Sequence, residues 1–194
     1  MGIEVALDRI ENKNIREGTK SIINKYLTTI KEAPASVSGK HHQDETMEDH
    51  LVETFAFVEM HIREFNILSN EADLLKSAAL LHDIGGCMIV YKGGATKSHP
   101  QEKFSSWKYY EATGWSKNNA KTGIHPILSA EIIGLNPFQG SDIISMLCMT
   151  HMSYWYKECP KPGFLNKELK RLAEILAMSD YLASQKSIKI IKGI

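Results

Sequence analysis

His82 and Asp83 stand side by side at the end of the strongly apolar segment ADLLKSAALLHDIGG. Burying either side chain is costly unless something pairs with it. A metal ion does so directly, because it takes neutral imidazole and charged carboxylate together. Adjacent residues lie about 100° apart around a helix, so both reach one site only near its frayed end. Other histidines and acids fall in comparable places. His50 stands next to the apolar stripe that starts at Leu51, in the first turn of its helix. His125 directly precedes Pro126, a common first helical residue. His151 lies four residues after Leu147 and seven after Ile144, on the core-facing stripe. Asp180 stands in the same relation to Leu176 and Ala173. Several helices thus each aim an imidazole or carboxylate inward, and the interior of a helical bundle is where such groups build metal sites.

The elements that must position these groups read as helices almost throughout. Ile22, Ile23, Tyr26, Leu27 and Ile30 mark one amphipathic helix, closed by Pro34 and the small polar run ASVSGK. Thr46 and Asp49 have the spacing of a capping box, and the helix they open carries Leu51, Phe55, Val58, Ile62 and Phe65 as a core stripe. The segment before His82 is apolar nearly all round, which predicts a buried central helix ended by Gly85-Gly86. Residues 86–124 hold five glycines, an aromatic cluster and six lysines against Glu102 and Glu111; they predict a long loop or lid with one short helix near 101–112. Three further helices follow, carrying Ile127 to Ile133, Ile143 to His151, and Leu169 to Asp180, with ECPKPG as a loop before the last.

Composition bounds the partners. The 194 residues are 43% hydrophobic, which suits a chain with a real core. The 23 basic side chains balance 23 acidic ones, arguing against nucleic acid or anionic membrane held by bulk electrostatics. No run of about 18 apolar residues is present to span a bilayer. Cys87, Cys148 and Cys159 are odd in number and form no CxxC pair, so the expectation is a reducing cytoplasm without disulfides. The first residues lack the order of a signal peptide.

The ordered set His50, His82-Asp83, His125, His151, Asp180 resembles the HD-domain superfamily of metal-dependent phosphohydrolases. SAALLHDIGG is similar to its signature, MSDYLA to its terminal Asp motif, and HPILSAEII to the extra histidine helix of its two-metal branch. The resemblance covers roughly residues 46–183 and implies an all-α fold: an HD-domain helical bundle with a lid insertion after the HD motif. Residues 1–194 would be a single such domain, with 1–45 as N-terminal helix and linker, 46–183 as core and 184–194 as tail.

The resemblance implies that His50, His82, Asp83 and Asp180 hold one metal, and that His125 and His151 hold a second with Asp83 bridging as the central catalytic group. Two ions about 3.5–4 Å apart activate a bridging hydroxide and neutralise charge in an in-line phosphoryl displacement. Imidazole-rich ligation suits iron, manganese, zinc or nickel better than magnesium, and iron or manganese is the expectation. The implied partner is a small phosphorylated substrate of nucleotide type, and a homo-oligomer is left open. The sequence departs from the family twice: many relatives have Lys where Gly86 stands, and many two-metal relatives have a second His at Met152. Lys92, Lys97 and Lys121 of the lid are candidates to replace the missing phosphate contact, and the lid's aromatics to stack on a base. Two alternatives keep the fold: a diiron oxygenase and a non-catalytic nucleotide-binding module. His61 falls about 16 Å along the helix from His50 and is expected to be structural or exposed. His41, His42 and His99 are expected in solvated loops, and Cys148 as a core filler.

Overall fold

The computed structural model describes residues 1–36, 45–93, 101–109, 124–154 and 159–185. The fold is all-α. Among the described residues the α-helices are α1 (Ile3–Asp8), α2 (Lys13–Glu32), α3 (Met47–Glu64), α4 (Ser69–Leu81), α5 (Gly86–Ile89), α6 (His125–Gly134), α7 (Ser141–Thr150) and α8 (Lys167–Ala183). Strands β1 (Val90–Lys92) and β2 (Trp107–Tyr109) pair antiparallel, with Val90 opposite Tyr109. No helix among the described residues is long and apolar enough to cross a membrane.

Several helix starts have a local cause. Asn12 accepts the Asn14 and Ile15 amides and opens α2. Thr46 and Asp49 form the reciprocal capping box at α3. Asn166 accepts the Leu169 amide at α8. At α7 the chain turns through Gly140, whose φ of +78° is open to glycine and strained for other residues.

α4 is central as its composition predicts, packed on α2, α3, α7 and α8. One apolar cluster draws on α1 through α8 and includes Leu51, Phe55, Val58, Leu75, Leu80, Leu81, Ile144, Leu147 and Leu176, all fully buried. Each such side chain contributes roughly 1.5–3 kcal/mol relative to exposure. Cys148 is a core filler as expected, with its thiol near the Ala78 carbonyl.

Four expectations need correction. The stripe of α3 ends early: Ile62 is half-buried and Phe65, at the helix cap, is exposed. α4 stops at Leu81, before the glycines, and the chain turns through His82–Gly85 into α5. Gly85 is right-handed helical, so it does not act as a left-handed stop. A Cβ there would lie 2.3 Å from the His125 carbonyl oxygen and 2.6 Å from the Ser129 nitrogen, so this glycine serves close approach of α6. Third, the described part of 86–124 is structured. It holds α5, the two strands and a short 3-10 helix at Glu102–Phe104, over a small cluster of Ala33, Val90, Phe104 and Trp107. Trp107, on β2, is therefore buried in this cluster and not free to stack on a base. Finally, α1, with Ile3, Ala6 and Leu7 in the core, is an element whose six residues are too few for a periodic pattern to show.

Candidate metal centre

Five segments converge on one point beneath the C-terminal end of α4. His50 comes from α3, His82 and Asp83 from the turn after α4, His125 from the first residue of α6, His151 from the cap of α7, and Asp180 from the end of α8. The structure brings together all six residues singled out in the sequence. His50, His82, His151 and Asp180 are buried, whereas the Asp83 and His125 side chains retain 20% and 14% exposure. The cluster therefore meets solvent along its Asp83–His125 edge.

Its ligand-type atoms lie within hydrogen-bonding range of one another. Asp83 Oδ1 lies 3.0 Å from His125 Nε2, 3.3 Å from His151 Nε2 and 3.6 Å from His82 Nε2. This oxygen is buried and accepts no hydrogen bond among the described residues. The other oxygen, Oδ2, lies 3.5 Å from His50 Nε2. Asp180 Oδ1 lies 3.2 Å from His50 Nε2 and 3.6 Å from His82 Nε2. The Nε2 atoms of His50 and His82 face each other at 3.2 Å, as do those of His125 and His151. Two subsets are compact enough to hold an ion: His50, His82 and Asp180, and His82, Asp83 and His151.

The imidazoles are oriented from behind. His82 Nδ1–H donates to the Ala79 carbonyl at 2.9 Å, and His151 Nδ1–H to the Cys148 carbonyl at 2.6 Å. That assignment leaves both Nε2 lone pairs directed into the cluster, the arrangement of metal-binding histidines.

Electrostatics agree. Burial opposes charge on His50, but Asp180 and Asp83 outweigh it and raise the imidazole to about 10. His82 is also raised, with burial again overcome by Asp83 and Asp180. His151 is lowered, chiefly by burial. Asp83 and Asp180 are held below the usual carboxylate range: burial opposes this, and the neighbouring imidazoles prevail. The two buried carboxylates thus demand positive charge at this point, which a divalent cation supplies.

Other candidates fall elsewhere. Lys92 lies on β1, exposed, with its ammonium 3.5 Å from Glu32 Oε2. Lys97, Lys121, His41, His42 and His99 lie outside the described residues. His61 is structural: buried, its Nδ1 lies 2.9 Å from Ser179 Oγ. The sequence reading missed Ser129, which is fully buried and bonded to the turn carrying His82 and Asp83. Its signal was a polar residue four positions after His125 in the otherwise apolar run HPILSAEII. No family model matches this chain, and neither does any curated protein or solved structure compared with it.

Proposed function

We propose that this chain is an HD-domain phosphohydrolase that binds two divalent transition metal ions, iron or manganese in preference to zinc or nickel, and cleaves a phosphate ester or anhydride of a small nucleotide. The observation that carries this reading is Asp83 Oδ1: a buried carboxylate oxygen that accepts no hydrogen bond among the described residues and faces three imidazole Nε2 atoms within 3.6 Å. His50, His82 and Asp180 would hold one ion, His125 and His151 the other, with Asp83 between them. When bound, such a pair supplies Lewis-acid neutralisation of phosphoryl charge and lowers the pKa of an attacking water.

The chain's own residues do the rest. Asp180 and the buried imidazoles keep the inner side closed to solvent, so substrate approaches from the Asp83–His125 edge. With two divalent cations held, the two carboxylates would leave net positive charge, which would favour an anionic phosphate at that edge. Backbone carbonyls of Ala79 and Cys148 hold the tautomers of His82 and His151, so these rings need not reorganise as charge develops. Lys92, Lys97 and Lys121 are proposed to contact the phosphate, which for Lys92 requires leaving Glu32.

The test is metal analysis of purified protein, followed by a screen of phosphorylated nucleotides with each candidate metal under anaerobic and aerobic conditions. Bound transition metal with release of inorganic phosphate or nucleotide is expected. Substrate-dependent oxygen consumption without phosphate release would replace hydrolysis by oxidation, and absence of bound metal would overturn the reading.

A further inference from the structure

The turn that carries the HD pair is held open by a side chain from another helix. Between His82 and Gly85 a direct carbonyl-to-amide bond would be expected, because the neighbouring bonds of the same kind are all made. Ile84 N–H donates to the Leu81 carbonyl, Gly86 N–H to Asp83 and Cys87 N–H to Ile84. The His82–Gly85 bond is missing from that run, and the Ser129 hydroxyl stands in its place. Gly85 N–H donates to Ser129 Oγ at 2.9 Å, and the same hydroxyl donates to the His82 carbonyl at 2.6 Å. Ser129 is fully buried, so no solvent competes for either bond. It lies one turn after His125 on α6. The glycine at position 85 lets the two backbones come close enough for this bridge.

We infer that Ser129 is a positioning residue that sets the separation of the two metal half-sites, resting on the two-ion reading above. One hydroxyl fixes the backbone on both sides of Asp83 and ties it to the helix that presents His125. Without it, a buried carbonyl and a buried amide either stay unpaired or pair with each other. The second outcome tightens the turn and swings Asp83 away from His125 and His151. The hydrogen bonds of Ser129 go to backbone groups and to none of the six ligand side chains among the described residues, so its effect on metal passes through the backbone.

The experiment is titration of metal-free protein with Co²⁺ under anaerobic conditions, followed by the visible absorption of the bound ion and by calorimetry. Wild type, Ser129→Ala and Ser129→Thr are compared, with apo circular-dichroism melting as a check on folding. Expected are two equivalents in wild type and a 10- to 100-fold weaker second step in Ser129→Ala, the range typical for lost groups behind a ligand. A changed cobalt spectrum should accompany the weaker step, and Ser129→Thr, which keeps the hydroxyl, should recover both. Identical isotherms for Ser129→Ala and wild type overturn the inference while leaving the metal centre standing. Equal weakening in Ser129→Thr overturns it too, since packing and not the hydroxyl would then be responsible. Wild type that takes up no Co²⁺ overturns the metal reading itself.

Discussion

α3 offers α8 two histidines, and the two meet opposite fates. His50, at the start of α3, faces the Asp180 carboxylate at 3.2 Å and is raised to about 10. His61, three turns on, faces the Ser179 hydroxyl at 2.9 Å and is lowered, chiefly by burial, with Glu64 opposing. Both are buried on the same helix against adjacent residues of the same partner. What differs is the group opposite: a carboxylate, joined by Asp83, His82 and their neighbours, against a neutral hydroxyl that itself donates to the Ile175 carbonyl. Burial alone makes a neutral structural histidine. Convergent carboxylates make one that demands a cation.

The largest test of that contrast removes the carboxylate shared by both halves of the centre. Asp83→Ala should lose bound metal in elemental analysis. Phosphatase activity should fall by about 1,000-fold or more in kcat, because several kcal/mol of charge neutralisation disappears. Full hydrolysis by this variant would break the mechanism. The paired test compares the histidines directly. His50→Ala should lose an ion, whereas His61→Ala should retain the wild-type metal content. His125→Ala, at the solvent edge, should keep the inner ion and weaken the outer one by at least the 10- to 100-fold seen for groups further from the metal. Equal metal loss in His50→Ala and His61→Ala would erase the distinction.

Metal removal comes next in size. Each ion present at about 1,000 times its dissociation constant stabilises by roughly 4 kcal/mol, so two contribute roughly 8 kcal/mol, which for a chain of this length raises Tm by about 16–32 °C. Chelated and metal-replete wild type should differ by that amount in a thermal scan, and so should His61→Ala. For His50→Ala the gap should shrink. A chelated wild type that melts at the replete temperature would show that the cluster is held by protons and not by metal.

Much of this was legible in the sequence for a physical reason. His151 and Asp180 continue the core stripes of their own helices, so periodicity alone turned them inward. His82 and Asp83 stood out because ionisable groups end an apolar run. Thr46 and Asp49 announced their cap three residues apart. The missed features are those whose cause lies in another element. Gly85 reads as a helix stop until the His125 carbonyl is seen against it, and Trp107 reads as an exposed aromatic until Ala33 and Phe104 are found around it. Ser129 reads as a tolerated polar residue in α6, because the two backbone groups it satisfies are more than forty positions away. His61 was correctly set apart from His50 by distance along α3. Its partner Ser179, adjacent to Asp180, could not be read from that spacing.

The smallest effect sharpens the comparison from the His61 side. Replacing His61 by Leu removes a buried hydrogen bond to Ser179 and should cost about 1–2 kcal/mol at pH 7.5, read as a lower Tm with metal content unchanged. The cost should also depend on pH in a defined direction. A histidine held below its ordinary 6.5 in the folded protein contributes its stability above that pH and loses it as the pH falls, because the unfolded chain takes up the proton first. The deficit of His61→Leu relative to wild type should therefore be larger at pH 7.5 than at pH 5.5. Ser179→Asp should reverse the sign: a carboxylate opposite His61 would favour the imidazolium, and NMR titration of that ring should move from below 6.5 to above it. A ring that titrates unchanged in Ser179→Asp would mean that the residue opposite does not decide the fate of these two histidines, and the contrast between the ends of α3 would need another cause.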